Sequence, residues 1–409
     1  MKYIIIIGDG MADYNIPELG NKTPLMVANK PRMDYMAKHG TVGYSANVPQ
    51  GMVPESDTAN LAIMGYDPKI YSKGRSPLEA LSMGIEMAEN ETAYRINTVA
   101  LTENDCPYAE QVILDHSADE ISTEESTILV NALQEAMGDE FKTYYPGISY
   151  RHCLIWKDAP ETMDFARPHD HLGKVIGEFL PNGEVGAPYL EIMEKSYEIL
   201  KNHPVNLKRK AEGKKPANSL WIWSPGKKPQ LSSFGEKYGK KAAVISAVDL
   251  IKGIGKCAGM DVIEVEGATG NVHTNFDGKA QAAVKALRDG ADFVYVHVEA
   301  PDECGHRAEL ENKVLSIELI DKKIIAYIED EMKKDGEDYR FLILPDHPTP
   351  IALRTHTMDP VPYIMYDSTK EVDNNVLSYD EKFGYGEDEV KANLKSYDKG
   401  HTIIDDFFA

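Results

Sequence analysis

The chain has 409 residues, 42% of them hydrophobic, which is ample apolar surface for a core and more length than one small domain needs. A net charge of −22 excludes nucleic acid and anionic membranes as natural partners, and an anionic substrate would need a local cationic site of metal ions or clustered Arg and Lys. Cys106, Cys153, Cys257 and Cys304 form no CxxC pair and read as reduced thiols of a cytoplasmic protein.

The opening MKYIIIIGDG has too short an apolar run for a signal peptide and reads as a first strand, with Asp9 exposed at its carboxyl end. No run approaches the roughly 20 apolar residues of a membrane span. TPLMVANKPRMDYMAKHG reads as one helical stretch closed by Gly40, TVGYSANVP as a strand, and PESDTANLAIMGYDP as a short helix opened by Ser56 and Asp57. From about Thr92 the texture changes. AYRINTVAL, EQVILDH and SYRHCLIW are strands around an amphipathic helix, STEESTILVNALQEAMG, which predicts an α+β insertion over residues 92–182. NHPVNLKRKAEGKKPAN reads as a polar surface connection.

Beyond it, strands NSLWIW, KAAVISA, DVIEVE, DFVYVHVEA and FLILPDH alternate with helical segments, among them one long helix, KVLSIELIDKKIIAYIEDEMKK. That alternation predicts an α/β core, residues 1–91 with 183–409, built on a mostly parallel sheet with helices on both faces.

Four segments carry residues fit for chemistry. Asp9 in GDG, Ser56 in PESDTAN, Asp302 and His306 in APDECGH, and Asp346, His347 and His356 in LPDHPTPIALRTH each follow a strand or open a helix. Ligands of open α/β sheets gather outside the carboxyl ends of the strands, so these segments can converge. Singly, each has an ordinary explanation: Asp9 or Ser56 as a helix or turn cap, His347 or His356 as a core histidine. Together, three Asp and three His suffice for two divalent ions with open positions, Mn²⁺ foremost and Zn²⁺ or Mg²⁺ as alternatives. Ser56 at a helix N-terminus is the candidate nucleophile, ahead of Thr58, and Cys304 reads as a packed thiol.

GDGMAD, PESDTANLAIMGYDP, APDECGH, LPDHPTP and RTHTMDPVP, with GRSPLEALSMGIEM and EVEGATGNVHTN, resemble the archaeal-type cofactor-independent phosphoglycerate mutases of the alkaline phosphatase superfamily nearly end to end. The resemblance implies an alkaline-phosphatase-like fold and interconversion of 3-phosphoglycerate and 2-phosphoglycerate, a small phosphorylated metabolite, without bisphosphoglycerate. It makes Ser56 the phosphorylated residue. Asp9, Ser56, Asp346 and His347 would hold one metal ion and Asp302, His306 and His356 the other, with the 92–182 insertion as a cap that closes over substrate.

Arg75, Arg95, His116, Arg151, His169, His171 and Lys227 are the candidate substrate contacts, and HDH could alternatively be a third metal site. WIWSPGKKP departs from the family pattern, with Trp223-Ser224-Pro225 where an arginine-bearing loop is expected. That departure leaves a homoserine kinase-like phosphotransferase or a metal-dependent phosphatase as alternative readings.

Overall fold

Strand β1 (Lys2–Gly8) is buried along nearly its whole length, as expected of an isoleucine run between parallel neighbours covered on both faces. The computed structural model describes residues 1–383 and 394–409, and the chain divides into two units, Met1–Ser72 with Gln230–Ala409, and Lys73–Pro229. In chain order the remaining strands are β2 (Thr41–Ser45), β3 (Glu91–Leu101), β4 (Ile113–Asp115), β5 (Lys142–Tyr145), β6 (Arg151–Lys157), β7 (Ser219–Lys227), β8 (Ala242–Ile245), β9 (Asp261–Ile263), β10 (Phe293–Val298), β11 (Tyr339–Leu344) and β12 (Val361–Asp367).

The first unit holds a seven-stranded sheet in the order β2-β12-β11-β1-β10-β8-β9. β1 pairs in parallel with β10 and β11, β8 in parallel with β10 and β9, while β12 runs antiparallel to β11 and β2. The register sets Ile7 opposite His297 and Leu344, so β1, β10 and β11 end level with one another. A single apolar cluster joins Ile4 and Ile6 of β1 to Val294 and Val296 of β10 and to the helix residues Ile317, Ile324 and Ile328.

Two helices differ from the sequence expectation. The stretch after Thr23 is two helices, Pro24–Val27 and Pro31–His39, because Pro31 lacks the N–H to continue a helix but is suited to begin one. The long segment after Glu309 is helical throughout but carries a π-helical turn, Ile320–Ile325, between Leu310–Leu319 and Ala326–Asp335. That turn points Asp321 at the start of the Pro31–His39 helix, where it accepts the backbone N–H groups of Met33 (2.7 Å) and Arg32 (3.2 Å).

The second unit is an antiparallel five-stranded sheet with β3 at its centre, β6 on one side and β7 on the other, and β4 taking over from β6 at Ala100 and Leu101. Its main core lies between the sheet and the helices Thr123–Met137 and Gly183–Leu200, with Trp221 and Tyr189 fully buried. The other face takes the helix Ser76–Ser82 against Ala93, Cys153 and Ile155.

These contacts make the unit wider than the 92–182 insertion read from sequence. β7, assigned there to the α/β core, pairs with β3 instead, and pairing partners that distant leave no mark in local composition. The connection predicted over NHPVNLKRKAEGKKPAN contains a helix, Pro204–Ala211, capped by His203. Its Arg209 is buried, bonded to Glu125 (2.6 Å) and to the carbonyls of Ala118 (2.6 Å) and Lys215 (3.0 Å). A basic composition therefore concealed a structural arginine.

Candidate metal centre

Adjacent strand ends deliver the site. Asp9 follows β1, Ser246 follows β8, the helix Ala300–Arg307 starts just past β10, and Asp346 and His347 follow β11. All lie in the first unit. Gly10 turns the chain at a φ of 61°, and a Cβ there would meet Thr349 Oγ1 at 2.4 Å and Asp302 Oδ1 at 2.7 Å, so only glycine lets the two loops approach this closely. The loop after β11 is tied down by Lys313, fully buried, which donates to Asp13 Oδ2 (2.7 Å) and to the Thr349 carbonyl (2.8 Å).

Ser56 is the first residue of its helix, Ser56–Ile63, and Glu55 holds the N-cap position. Its hydroxyl therefore does not serve as an N-cap; Oγ lies 3.2 Å from His347 Nε2. His347 Nε2 is also 3.4 Å from Asp346 Oδ2 and 3.7 Å from Asp9 Oδ1. Asp346 is fixed by the backbone N–H of Gly10 (3.2 Å) and of His347 (2.9 Å) on Oδ1, and by Asn60 (2.9 Å) on Oδ2.

In the second group, His306 Nε2 lies 3.3 Å from Asp302 Oδ2, His356 Nε2 3.3 Å from Asp302 Oδ1, and the two imidazole nitrogens are 2.9 Å apart. Asp302 and His306 sit four apart on one helix face, the spacing the sequence presented. The ring of His347 stacks on that of His356 with centroids 3.8 Å apart. Donor atoms of Asp302, His347 and His356 fall within 4.8 Å of one another, as do those of Asp9, His297 and Asp346.

The donor chemistry fits divalent cations. His306 Nδ1 donates to the Arg354 carbonyl (3.0 Å) and His356 Nδ1 to the Pro54 carbonyl (2.6 Å). In the neutral rings both Nε2 lone pairs then face each other and Asp302, an arrangement that calls for positive charge between them. Burial, with Asp346 beside it, pushes the Asp9 carboxyl well above the ordinary carboxylate range, and its Oδ1 is buried without a hydrogen-bond partner. Burial opposes ionisation of Asp302 too, but His306 and His356, when protonated at Nε2, donate to its carboxylate and hold it well below the ordinary range. His306 in turn is raised to about 9 by its bond to Asp302. Burial lifts Glu299, near Asp302, to about 7.

A family model described as 2,3-bisphosphoglycerate-independent phosphoglycerate mutase matches residues 37–206. The chain is 48% identical over 384 residues to the protein of that name from Methanosarcina barkeri, covering 93% of this chain and 94% of the relative. The chain belongs to the 2,3-bisphosphoglycerate-independent phosphoglycerate mutase family. A further member, mutase 2 of Methanothermobacter thermautotrophicus, is 43% identical, covering 93% of this chain and 92% of its own. Among solved structures, a Pyrococcus horikoshii protein matches with a TM-score of 0.81 at 30% identity, covering 100% of this chain and 97% of the other. The cofactor-independent phosphoglycerate mutase of Thermoplasma acidophilum matches at 0.68 and 26% identity, covering 100% and 99%. Archaeal proteins of this mutase family are thus similar along nearly the whole chain.

The seven candidate ligands read from sequence lie close to one another in the first unit, while the candidate substrate contacts all lie in the second. Arg95 is mostly buried, its guanidinium 4.6 Å from the centroid of Trp223 and its Nε 3.1 Å from Glu79, and burial lowers its pKa. Arg75 Nε is 3.9 Å from the same Glu79. His169 meets Trp223 and His116 edge-on, His116 meets Tyr150, and Arg151 lies 4.5 Å over Tyr150. Arg75, Arg95, His116, Arg151 and His169 thus form one cluster of arginine and histidine side chains laced by Trp223, Tyr150 and Glu79. His171 is set apart, stacked on Phe179 at 3.8 Å, and Lys227 is exposed at the end of β7. Trp223, read from sequence only as a departure from the family, is the residue on which Arg95 and His169 meet.

Sequence reasoning missed His297, buried in β10 beside Asp9, and the ligand-holding residues Asn60 and Thr349, the latter donating to Asp302 Oδ1 at 2.5 Å. A signal for His297 was present: one imidazole inside the otherwise apolar run FVYVHV. Cys304 is buried, as expected of a packed thiol, and burial pushes it up to about 12.

Proposed function

We propose that the chain is a 2,3-bisphosphoglycerate-independent phosphoglycerate mutase, an isomerase that interconverts 3-phosphoglycerate and 2-phosphoglycerate through a phosphoserine on Ser56. Identity of 48% over 93% of the chain carries the activity, and the Ser56 hydroxyl directed at the ligand cluster supports the route. Asp9, Ser56, Asp346 and His347 would hold one divalent cation and Asp302, His306 and His356 a second, with Mn²⁺ the first choice for a mixed carboxylate and imidazole set. Such ions lower the pKa of a bound hydroxyl and offset charge on transferring phosphoryl oxygens.

The chain's own residues do the rest. Ser56 Oγ attacks phosphorus, the bond from phosphorus to the substrate oxygen breaks, and glycerate is left beside phosphoserine. The other hydroxyl of glycerate then attacks phosphoserine, the Ser56 Oγ–P bond breaks, and the phosphate returns on the neighbouring carbon. The helix Ser56–Ile63 aims its first-turn N–H groups and positive dipole end at the phosphate. Arg75, Arg95, Arg151, His116 and His169 would be the residues that bind the substrate carboxylate.

The test is a coupled assay of Mn²⁺-loaded protein with 3-phosphoglycerate, without bisphosphoglycerate or ATP. Turnover is expected in the wild type and a loss of at least about 10³-fold in Ser56→Ala. No turnover in a metal-loaded wild type would refute the mutase assignment and direct attention to other small hydroxy compounds.

A further inference from the structure

The buried imidazole of His297 has no part in the route above, yet it lies against a ligand of the proposed centre. Its Nε2 is 3.1 Å from Asp9 Oδ2, and its Nδ1 is 3.3 Å from Ser246 Oγ. Hydrogen-bond accounting points to one tautomer. Ser246 is buried, and its Oγ already accepts the N–H of Val248 at 3.0 Å. Among the described contacts, the acceptor left for the Ser246 hydroxyl proton is His297 Nδ1, which places the ring proton on Nε2, facing Asp9.

The sheet holds this pair rigidly. Ile7 and Gly8 of β1 lie opposite His297 and Val298, and the Asp9 N–H donates to the Val298 carbonyl at 3.0 Å. The His297 carbonyl accepts from Lys279 Nζ at 2.9 Å, and Lys279 is itself fully buried. Asp9 Oδ2 is therefore turned to the imidazole, while Oδ1, buried and without a hydrogen-bond partner, is the oxygen on the His347 side. Asp9 Oδ1 is a separate unpartnered oxygen, and His297 Nε2 lies 3.1 Å from Asp9 Oδ2 without being aligned for a hydrogen bond. Functional hydrogen bonds of this kind tighten on ligation.

We propose that His297 is a positioning residue: the relay Val248 N–H, Ser246 hydroxyl, His297 Nε2–H holds Asp9 Oδ2 and presents Oδ1 as the single oxygen that ligates the cation of the Ser56 half of the site. The proposal rests on the metal reading given above. It makes His297 an outer partner of one ion and leaves the ion of Asp302, His306 and His356 untouched.

The test titrates Mn²⁺ into chelator-stripped wild type, His297→Leu, His297→Gln and Ser246→Ala, counting bound ions by electron paramagnetic resonance, with ¹⁵N spectra of the histidine rings. Loss of such a partner costs about 10- to 100-fold in metal affinity, so His297→Leu should weaken one of two sites by that factor and leave the other unchanged. His297→Gln keeps an N–H at the Nε2 position and should restore most of the loss, which a merely space-filling role would not predict. In Ser246→Ala the ring should lose its fixed Nε2–H tautomer. Two wild-type sites with His297→Leu indistinguishable from wild type, or a wild-type proton on Nδ1, would overturn the role of His297 alone. A wild type that binds no divalent ion would overturn the metal reading as well.

Discussion

Lys313 shows how much a single residue decides here. It is fully buried, its ammonium is shared between Asp13 and the Thr349 carbonyl, and Asp13 in turn accepts the Ile351 N–H at 3.2 Å, so one ion pair pins the loop that carries His347 and leads to His356. Removing one partner of a buried pair leaves the other charged and unpaired, at a cost of about 3–5 kcal/mol. Lys313→Met should lose that much in urea unfolding, and Asp13→Asn in the same chain should recover part of it. Equal losses in the single and double variants would mean that the pair itself is not what holds the loop. Ser224 is a second residue with a definite consequence. It sits at a φ of 50°, a left-handed conformation that glycine adopts without cost, so Ser224→Gly should stabilise the chain by about 1 kcal/mol.

At the scale of elements, β3 and β6 enclose a histidine that must stay neutral. His152 accepts the Gly147 N–H on Nδ1 at 3.0 Å and lies 3.3 Å from Thr98 Oγ1 through Nε2, and burial lowers its pKa to about 3. A depressed histidine pKa means the unfolded chain takes the proton first. Stability from this group is complete above pH 6.5 and falls as the pH drops towards 3, by up to about 1.4 kcal/mol per pH unit. Urea midpoints of wild type and His152→Gln should therefore converge between pH 7 and pH 5. A constant gap across that window would show that His152 is not the titrating group.

The same elements show what local pattern reveals. The residues 3–7, 293–298 and 341–344 were legible as strands because β-branched and aromatic runs have few other solutions, and the acids and imidazoles after them stood out as candidate site residues because they follow such runs. β7 was recognised as a strand but assigned to the wrong sheet, since nothing in WIWSPGK reports its pairing with β3. His297 was hidden because an imidazole inside a strand reads as core until Asp9 is seen beside it. Arg209 was hidden by the basic residues around it.

At the scale of the molecule, the two units have separate apolar cores, one built on β1 and its parallel neighbours and the other on β3. The buried acids Asp9, Asp302 and Asp346 all belong to the first unit. A divalent ion at a hundredfold excess over its Kd stabilises the folded state by about 2.7 kcal/mol. Calorimetry should accordingly resolve a transition that falls by several degrees on adding a chelator and another that does not move. Proteolysis should assign the first to residues 1–72 with 230–409 and the second to 73–229. A uniform shift of both would argue that the ions do not reside with those acids.

The ordering of the strands also bears on how the chain folds as it leaves the ribosome. β1 is made first, yet Ile4 has its neighbours at Val294 and Phe341, so the central strand of the first unit waits for nearly the whole chain to be translated. The second unit is complete once residue 229 has emerged. At roughly 5–20 residues per second, the interval before β10 appears lasts seconds, with an isoleucine run lacking its partners throughout. Nascent chains stalled shortly after residue 260 should thus protect 73–229 from protease while leaving the first 72 residues open to it. Of the two units, the one that carries the candidate metal ligands would be the last to form, and a holdase chaperone would find its binding segment in β1.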